Sequence, residues 1–170
     1  NNEKIEKINN EFKNTFKIVI GAGSSGPTTR WGSNNFAKLI NKLNENGNYI
    51  FFILCGPKEK EIEDEIINKL NKKNYVRLSD KKIIEVVPYL CACNMYVGND
   101  SFGSHISAQS GKKSIVFLLD SPRAYTDYSK NFFRLVPDGF NIDDITHSTK
   151  ADPNLILVDN VVQKIQSLKN

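Results

Sequence analysis

Apolar positions along this chain keep two rhythms. Continuous runs occur at FKIVIGAG (16–23), YIFFILCGP (49–57), NMYVG (94–98) and SIVFLL (114–119). Runs of that length, closed by glycine, proline or polar residues, predict strands covered on both faces. YVRLS (75–79) reads as a shorter strand. Between the runs the spacing turns helical. Phe36, Leu39, Ile40 and Leu43 follow i, i+3, i+4, i+7, with Ser33 as the predicted N-cap. Ile62, Ile66 and Leu70 mark a second helix, and Glu59, Glu61 and Glu63 suit its positive start. Ile83, Ile84, Val87 and Leu90 form a third face, which Pro88 is expected to kink or shorten. Residues 104–110 predict a short helix between two strands. Asp152 as N-cap and Pro153 at the first position open a closing helix faced by Leu155, Val158, Val162, Ile165 and Leu168. Residues 120–150, interrupted by Pro122, Pro137 and Gly139, carry the least regular pattern.

Strands alternating with helices predict an α/β fold: a Rossmann-like parallel sheet with helices on both faces and right-handed crossovers. The 170 residues suit a single domain spanning 1–170. The chain begins NNEKIEKINNEF, without a Met, as expected of a piece of a longer protein.

Composition changes this picture little. Apolar residues are 39% and charged residues 25%, ordinary for a soluble domain. The net charge of +4 is spread among mixed signs, with basic runs no longer than pairs such as Lys72-Lys73. Such a surface is solvated, or suits an anionic substrate or membrane face, and does not specifically indicate nucleic acid. Cys55, Cys91 and Cys93 lie in apolar company at spacings that match neither zinc pairs nor a redox CxxC, so they read as reduced core residues. No segment reaches the roughly 18 apolar residues of a membrane span.

Candidate chemistry gathers in the loops that follow strands, because ligands of open parallel sheets bind beyond the carboxyl ends of the strands. Three loops qualify: GAGSSGPTTRWG (21–32), CGPKEKE (55–61) and GNDSFGSHIS (98–107). In the third, the amides of Ser101, Phe102, Gly103 and Ser104 open a helix and attract phosphate, with Gly98 and Gly103 allowing close approach. Asp100 either accepts hydroxyl hydrogen bonds or caps the helix with Ser101. His105 either donates to a phosphate oxygen or is a surface residue. The first loop lacks the Gly-Lys-Ser/Thr of a Walker sequence and the spacing of G-x-G-x-x-G. It is either a flexible loop or a source of diphosphate donors in Ser24, Ser25, Thr28, Thr29 and Arg30. Trp31 reads as a packing anchor. Glu59 either takes both hydroxyls of a ribose or is a solvated helix-start carboxylate.

Together these segments resemble a known family. TTRWGSNNFAKLINKL resembles the KRWP-x-x-x-[FWY]-x-x-L element of glycosyltransferase family 9, the bacterial ADP-heptose:lipopolysaccharide heptosyltransferases. CGPKEKE resembles that family's Gly-Gly/Gly-Pro-x-x-E loop, and VGNDSFGSHISAQSGKKSIVFL its G-x-D-[ST]-G-x-x-H block. LDSPRAY resembles the G-x-T-x-P turn that follows. The resemblance covers residues 15–137, in one order, and the third block is its specific part.

The resemblance implies the C-terminal, donor-binding half of a GT-B glycosyltransferase. The N-terminal half would hold the catalytic carboxylate and the lipid-linked or lipopolysaccharide-core acceptor. Transfer would be inverting and would use neither metal nor cofactor. The donor would be an ADP-heptose-like nucleotide-diphospho-sugar. By match, Asp100 touches the sugar, the amides from Ser101 to Ser104 hold the diphosphate, Glu59 holds the ribose, and Ser24 and Ser25 assist at phosphate. The expected location is cytoplasmic, peripheral on the inner face of the membrane. The chain departs from the pattern at Thr29, where the family has its phosphate-binding Lys, with Arg30 one residue on. It departs also at Gly32 for Pro, and at Phe102 for Gly, with Gly103 displaced by one. A second reading is a non-catalytic nucleotide-binding or regulatory module that keeps the phosphate cradle. A partner domain encoded upstream favours the enzyme; a start codon near Asn1 favours the binder.

Overall fold

The computed structural model describes residues 2–169. Six strands form one sheet: β1 (Phe16–Gly21), β2 (Tyr49–Leu54), β3 (Tyr75–Arg77), β4 (Met95–Asn99), β5 (Lys113–Phe117) and β6 (Phe132–Leu135). All neighbours are parallel, in the order β3-β2-β1-β4-β5-β6. The order reverses direction at β1, the switch point of a Rossmann-like sheet. The apolar runs become strands because a parallel sheet hides both faces of its central strands. Ile18, Val19 and Ile20 are fully buried, as are Phe51, Phe52 and Ile53.

Six helices cover the sheet: α1 (Asn2–Glu11), α2 (Ser33–Glu45), α3 (Lys60–Ile67), α4 (Ile83–Ala92), α5 (Phe102–Gln109) and α6 (Val158–Lys169). Helices α2, α3 and α6 pack together around a core holding Trp31, Phe36, Phe51 and Phe117. Helices α1, α4 and α5 pack together around Val19, Phe52, Tyr96 and Leu118. The fold is therefore α/β with helices on both faces. Among the described residues, no helix is long and apolar enough to cross a membrane.

Several local expectations change. Strand β6 lies inside the stretch that looked irregular. It is a four-residue edge strand, and Arg134 in it donates to the Thr126 hydroxyl and carbonyl, so its pattern is not plainly apolar. Gly32, not Ser33, is the N-cap of α2, with φ 100° and ψ 144°. Proline, with φ locked near −65°, has no access to that conformation, so this N-cap geometry is open to Gly32 and closed to a Pro in its place. Asp152 caps a 3₁₀ turn over Pro153–Leu155, accepting from the Asn154 amide at 2.9 Å, and α6 starts only at Val158. Helix α4 runs through Pro88 to Ala92 and buries Val86 and Leu90, leaving Ile83 and Ile84 65% and 58% exposed. Helix α5 starts at Phe102, two residues before the predicted boundary.

Candidate nucleotide-sugar site

The loops after β1, β2, β4 and β5 meet at one rim, as a parallel sheet requires. A buried asparagine fixes two of them. Asn99 Oδ1 accepts the Trp31 amide at 2.9 Å and its Nδ2 donates to the Ala22 carbonyl at 2.8 Å. Trp31 is fully buried, as its reading as an anchor requires. Its indole donates to the Ile156 carbonyl at 2.9 Å and packs against Phe36 and Phe117. The two ends of the first loop are thereby tied to β4 and to the approach to α6. Gly21 and Gly98 face each other in register, and a Cβ on Gly98 would lie 2.4 Å from the Gly21 carbonyl oxygen.

Two cavities open on the rim. The first, about 490 Å³, has apolar walls from Leu54, Leu78, Ile83, Val86 and Phe102, with Glu59 and Lys81 at its edge. The second, about 430 Å³, is lined by Thr28, His105, Asp120, Tyr125 and His147. Ser25, Asp100, Ser101 and Phe102 belong to both and form the wall between them. Exposed Ile83 and Phe102 border the apolar cavity.

The candidate residues divide by what they already bind. Ser24 and Thr29 knit the first loop. The Ser24 hydroxyl donates to the Gly26 carbonyl at 2.8 Å, and the Thr29 hydroxyl lies 2.7 Å from Ser24 Oγ. Ser25 is exposed and its hydroxyl makes no hydrogen bond among the described residues. Arg30 donates to Glu59 Oε1 at 2.7 Å and to the Ser24 carbonyl at 3.2 Å, and lines neither cavity. Glu59 also takes the Ser24 amide at 3.0 Å and the Gly56 amide at 2.8 Å. It is a bonded carboxylate, not a solvated one. A carboxylate has roughly four acceptor positions, and these three bonds leave about one for a ligand.

At the head of α5 the capping role falls to Ser101, not Asp100. The Ser101 amide donates to Ser104 Oγ at 3.2 Å, and the Ser104 amide to the Ser101 carbonyl at 3.0 Å. That leaves the amides of Phe102 and Gly103, whose i−4 carbonyls precede the helix, as the free donors of this turn. Ser104 is fully buried, its hydroxyl spent inside the cap. Gly103 does more for packing than for approach: a Cβ there would meet Leu54 Cδ2 at 2.3 Å and Tyr96 Cε2 at 3.0 Å. The missing side chain lets α5 close on β2 and β4. Asp100 is 6% exposed at its side chain and pairs with His105 Nε2 at 3.1 Å. His105 Nδ1 in turn meets the Tyr128 hydroxyl at 2.8 Å, and the two rings stack. His105 is thus an oriented residue bridging Asp100 and Tyr128.

The thiols are not reactive groups of this site. Burial, reinforced by the Glu63 and Glu59 carboxylates, pushes the Cys55 thiol from 9.0 up to about 12. Burial does the same for Cys93, also to about 12. All three cysteines are free, and Cys91 is half-buried rather than in the core.

Sequence reasoning missed Asn99, Asp120, Tyr125 and His147. Asn99 follows the NMYVG run inside the third loop with no periodic signal of its own, and His147 stands alone in an irregular segment. Asp120 carried a usable signal, since it directly follows the SIVFLL run and so lies at the rim by topology.

Residues 2–133 match the family model described as glycosyltransferase family 9 (heptosyltransferase). The fold matches E. coli ADP-heptose lipopolysaccharide heptosyltransferase II at 21% identity and TM-score 0.79, over 99% of this chain and 51% of that one. It matches the glycosyl transferase family 9 protein from Veillonella parvula DSM 2008 at 18% identity and TM-score 0.78, over 97% and 50%. E. coli heptosyltransferase WaaC with ADP matches at 18% identity and TM-score 0.71, over 91% and 44%. The chain thus spans about half the length of these structures. No curated protein sequence matches it. With its Rossmann-like sheet and a family match over most of its length, the chain belongs to glycosyltransferase family 9, the heptosyltransferase family.

Proposed function

We propose that this chain is the donor-binding half of a longer glycosyltransferase and holds a nucleotide-diphospho-sugar. The observation that carries this is the wall shared by the two cavities. One cavity is apolar and suits a nucleobase; the other is polar and suits a sugar; the head of α5 stands between them. A diphosphate there meets the amides of Phe102 and Gly103, the positive end of the helix, and the free hydroxyl of Ser25. Glu59, at the edge of the apolar cavity, offers its remaining acceptor position to a ribose hydroxyl. Arg30 acts through Glu59 by holding that carboxylate in place. Asp100, oriented by His105, faces the sugar.

The chemistry follows from charge. When the glycosyl group leaves, negative charge grows on the diphosphate, and oriented amides stabilise it without reorganising. The donor is an ADP-sugar, of heptose type. Structures of E. coli WaaC with ADP and with ADP-2-deoxy-2-fluoro heptose, which share this fold, support that reading. Relatives about twice as long supply room for a second half carrying the catalytic carboxylate and a lipopolysaccharide-core acceptor. Such an enzyme works on the cytoplasmic side of the inner membrane. Titration of the chain with ADP, UDP and GDP is the test. ADP binding in the millimolar range or tighter is expected. Silence from all three nucleotides at millimolar concentration overturns the reading.

A further inference from the structure

The two carboxylate oxygens of Asp120 have different surroundings. Oδ2 accepts the Thr28 hydroxyl at 2.7 Å. Oδ1 is closed off from solvent and has no hydrogen-bond partner among the described residues. Buried polar atoms are nearly always bonded, and an anionic oxygen left bare has lost its hydration for nothing. An atom of this kind beside a cavity points to a donor brought by a ligand.

Asp120 lines the polar cavity. Its backbone carbonyl lies 3.1 Å from His147 Nδ1, and His147 Nε2 meets the Tyr125 hydroxyl at 2.9 Å. Asp100 and His105 line the same cavity. Carboxylates, imidazoles and a phenol match the hydroxyls of a sugar and do not suit an acyl chain. Position agrees with chemistry. A ligand with its base in the apolar cavity and its diphosphate at the shared wall carries its glycosyl group into this one.

We infer that Asp120 is a specificity-determining residue: its Oδ1 accepts a hydrogen bond from a hydroxyl of the transferred sugar, with the Tyr125 hydroxyl as a second contact. The polar cavity then selects a polyhydroxylated glycosyl group. This rests on the donor-binding reading above and adds to it a group that chooses the sugar.

Isothermal titration of the chain with ADP, ADP-glucose and ADP-heptose tests it, repeated on Asp120→Asn and Tyr125→Phe. Asparagine still accepts the Thr28 hydroxyl, and the Tyr125 ring is exposed, so neither change dismantles the loop. At least one ADP-sugar is expected to bind more tightly than ADP by about tenfold or more, the worth of a hydrogen bond to a charged group. Asp120→Asn should lose most of that margin and Tyr125→Phe a smaller part. A margin that is absent in the native chain, or unchanged in Asp120→Asn, overturns the role of Asp120 while leaving nucleotide binding standing. If ADP itself fails to bind the native chain, the donor-binding reading falls and this assignment with it. Should Asp120→Asn fail to fold, as judged by its melting curve, Tyr125→Phe decides alone, and an unchanged margin overturns the assignment.

Discussion

Glu59 receives the Arg30 guanidinium at 2.7 Å on the same oxygen that takes the Ser24 amide at 3.0 Å. One carboxylate therefore joins the loops after β1 and β2. Nη2 of the guanidinium beside it is committed before any ligand arrives, while its buried Nε has no partner among the described residues. A guanidinium waiting for phosphate would border the cavity wall; this one does not. Arg30→Ala should weaken adenosine and ADP binding alike, because it loosens the ribose carboxylate. With side chains 31% and 17% exposed, the pair contributes about 1 kcal/mol to stability, the upper end for partly solvated pairs. Titration with both ligands checks this. A loss confined to ADP would place the guanidinium on the diphosphate.

Asp100 offers a cleaner separation, because Ser101 caps the helix and the carboxylate keeps only a long contact to that cap, from the Ser104 hydroxyl at 3.4 Å. Asp100→Asn should leave the melting temperature nearly unchanged. In the longer enzyme, transfer should fall ten- to hundredfold, the worth of a hydrogen bond to a charged group. ADP affinity should move far less. Parallel measurement of turnover and ADP binding decides it, and equal losses would return Asp100 to a structural role.

The buried thiols predict a pH dependence with a definite sign. Cys55 and Cys93 stay neutral in the folded chain up to about pH 12, whereas unfolded thiols ionise near 9.0. Above pH 9 the unfolded state binds fewer protons, so stability falls as pH rises. The stability these thiols contribute is complete below pH 9 and is lost toward pH 12. Denaturant midpoints measured from pH 8 to pH 11 should decline, and less steeply in Cys55→Ala/Cys93→Ala. In the native chain at pH 8 a thiol reagent should modify Cys91 first.

The glycine pair on β1 and β4 sets a limit on packing. A Cβ on Gly98 would meet the Gly21 oxygen at 2.4 Å and its Cα at 2.7 Å, both backbone atoms that cannot swing aside. Gly98→Ala should cost about 1–3 kcal/mol, a drop of roughly 2–12 °C for a domain of this size. Gly26→Ala, whose nearest neighbour would be Thr28 Oγ1 at 3.9 Å, is the control and should melt like the native chain. Differential scanning calorimetry of the two variants separates them.

What was legible in the sequence was what burial imprints on it. β1, β2 and β4 are nearly all apolar because the sheet hides both their faces, and α2 shows its inward stripe from Phe36 to Leu43. Loops after strands gave the rim by topology alone. β6 escaped because Arg134, which bonds Thr126 and pairs with Asp127, breaks the apolar run. Helix α1 buries only Ile8 fully, too little for a pattern. Ile83 and Ile84 misled for the opposite reason: periodicity counts apolar residues without asking where they face, and Ile83 borders a cavity while Ile84 is exposed. The pairing of Arg30 with Glu59, 29 residues away, has no local signal, and neither does the bare oxygen of Asp120.

Asn99 is the group whose loss should reach furthest. It is fully buried, and its amide serves as donor to Ala22 and acceptor from Trp31, while its own carbonyl takes the Tyr96 hydroxyl at 2.7 Å. Aspartate has the same shape but no side-chain N–H. Asn99→Asp would set a buried carboxylate oxygen against the Ala22 carbonyl, so the site loses a hydrogen bond and gains a repulsion. Leaving one buried group unpaired costs about 1–3 kcal/mol, and more when it is charged. The melting temperature should therefore fall by at least several degrees at pH 7. Lowering the pH should recover part of it, since a protonated carboxyl can again donate to Ala22. The consequence for binding is separate from the consequence for folding: with the first loop released from β4, Ser25 no longer holds its place at the shared wall. ADP affinity of whatever fraction stays folded should drop as well. Melting curves at pH 5 and pH 7, with ADP titration at the temperature where both proteins are folded, measure the two effects. Native-like melting and native-like affinity in Asn99→Asp would show that the loop is held by Trp31 packing alone.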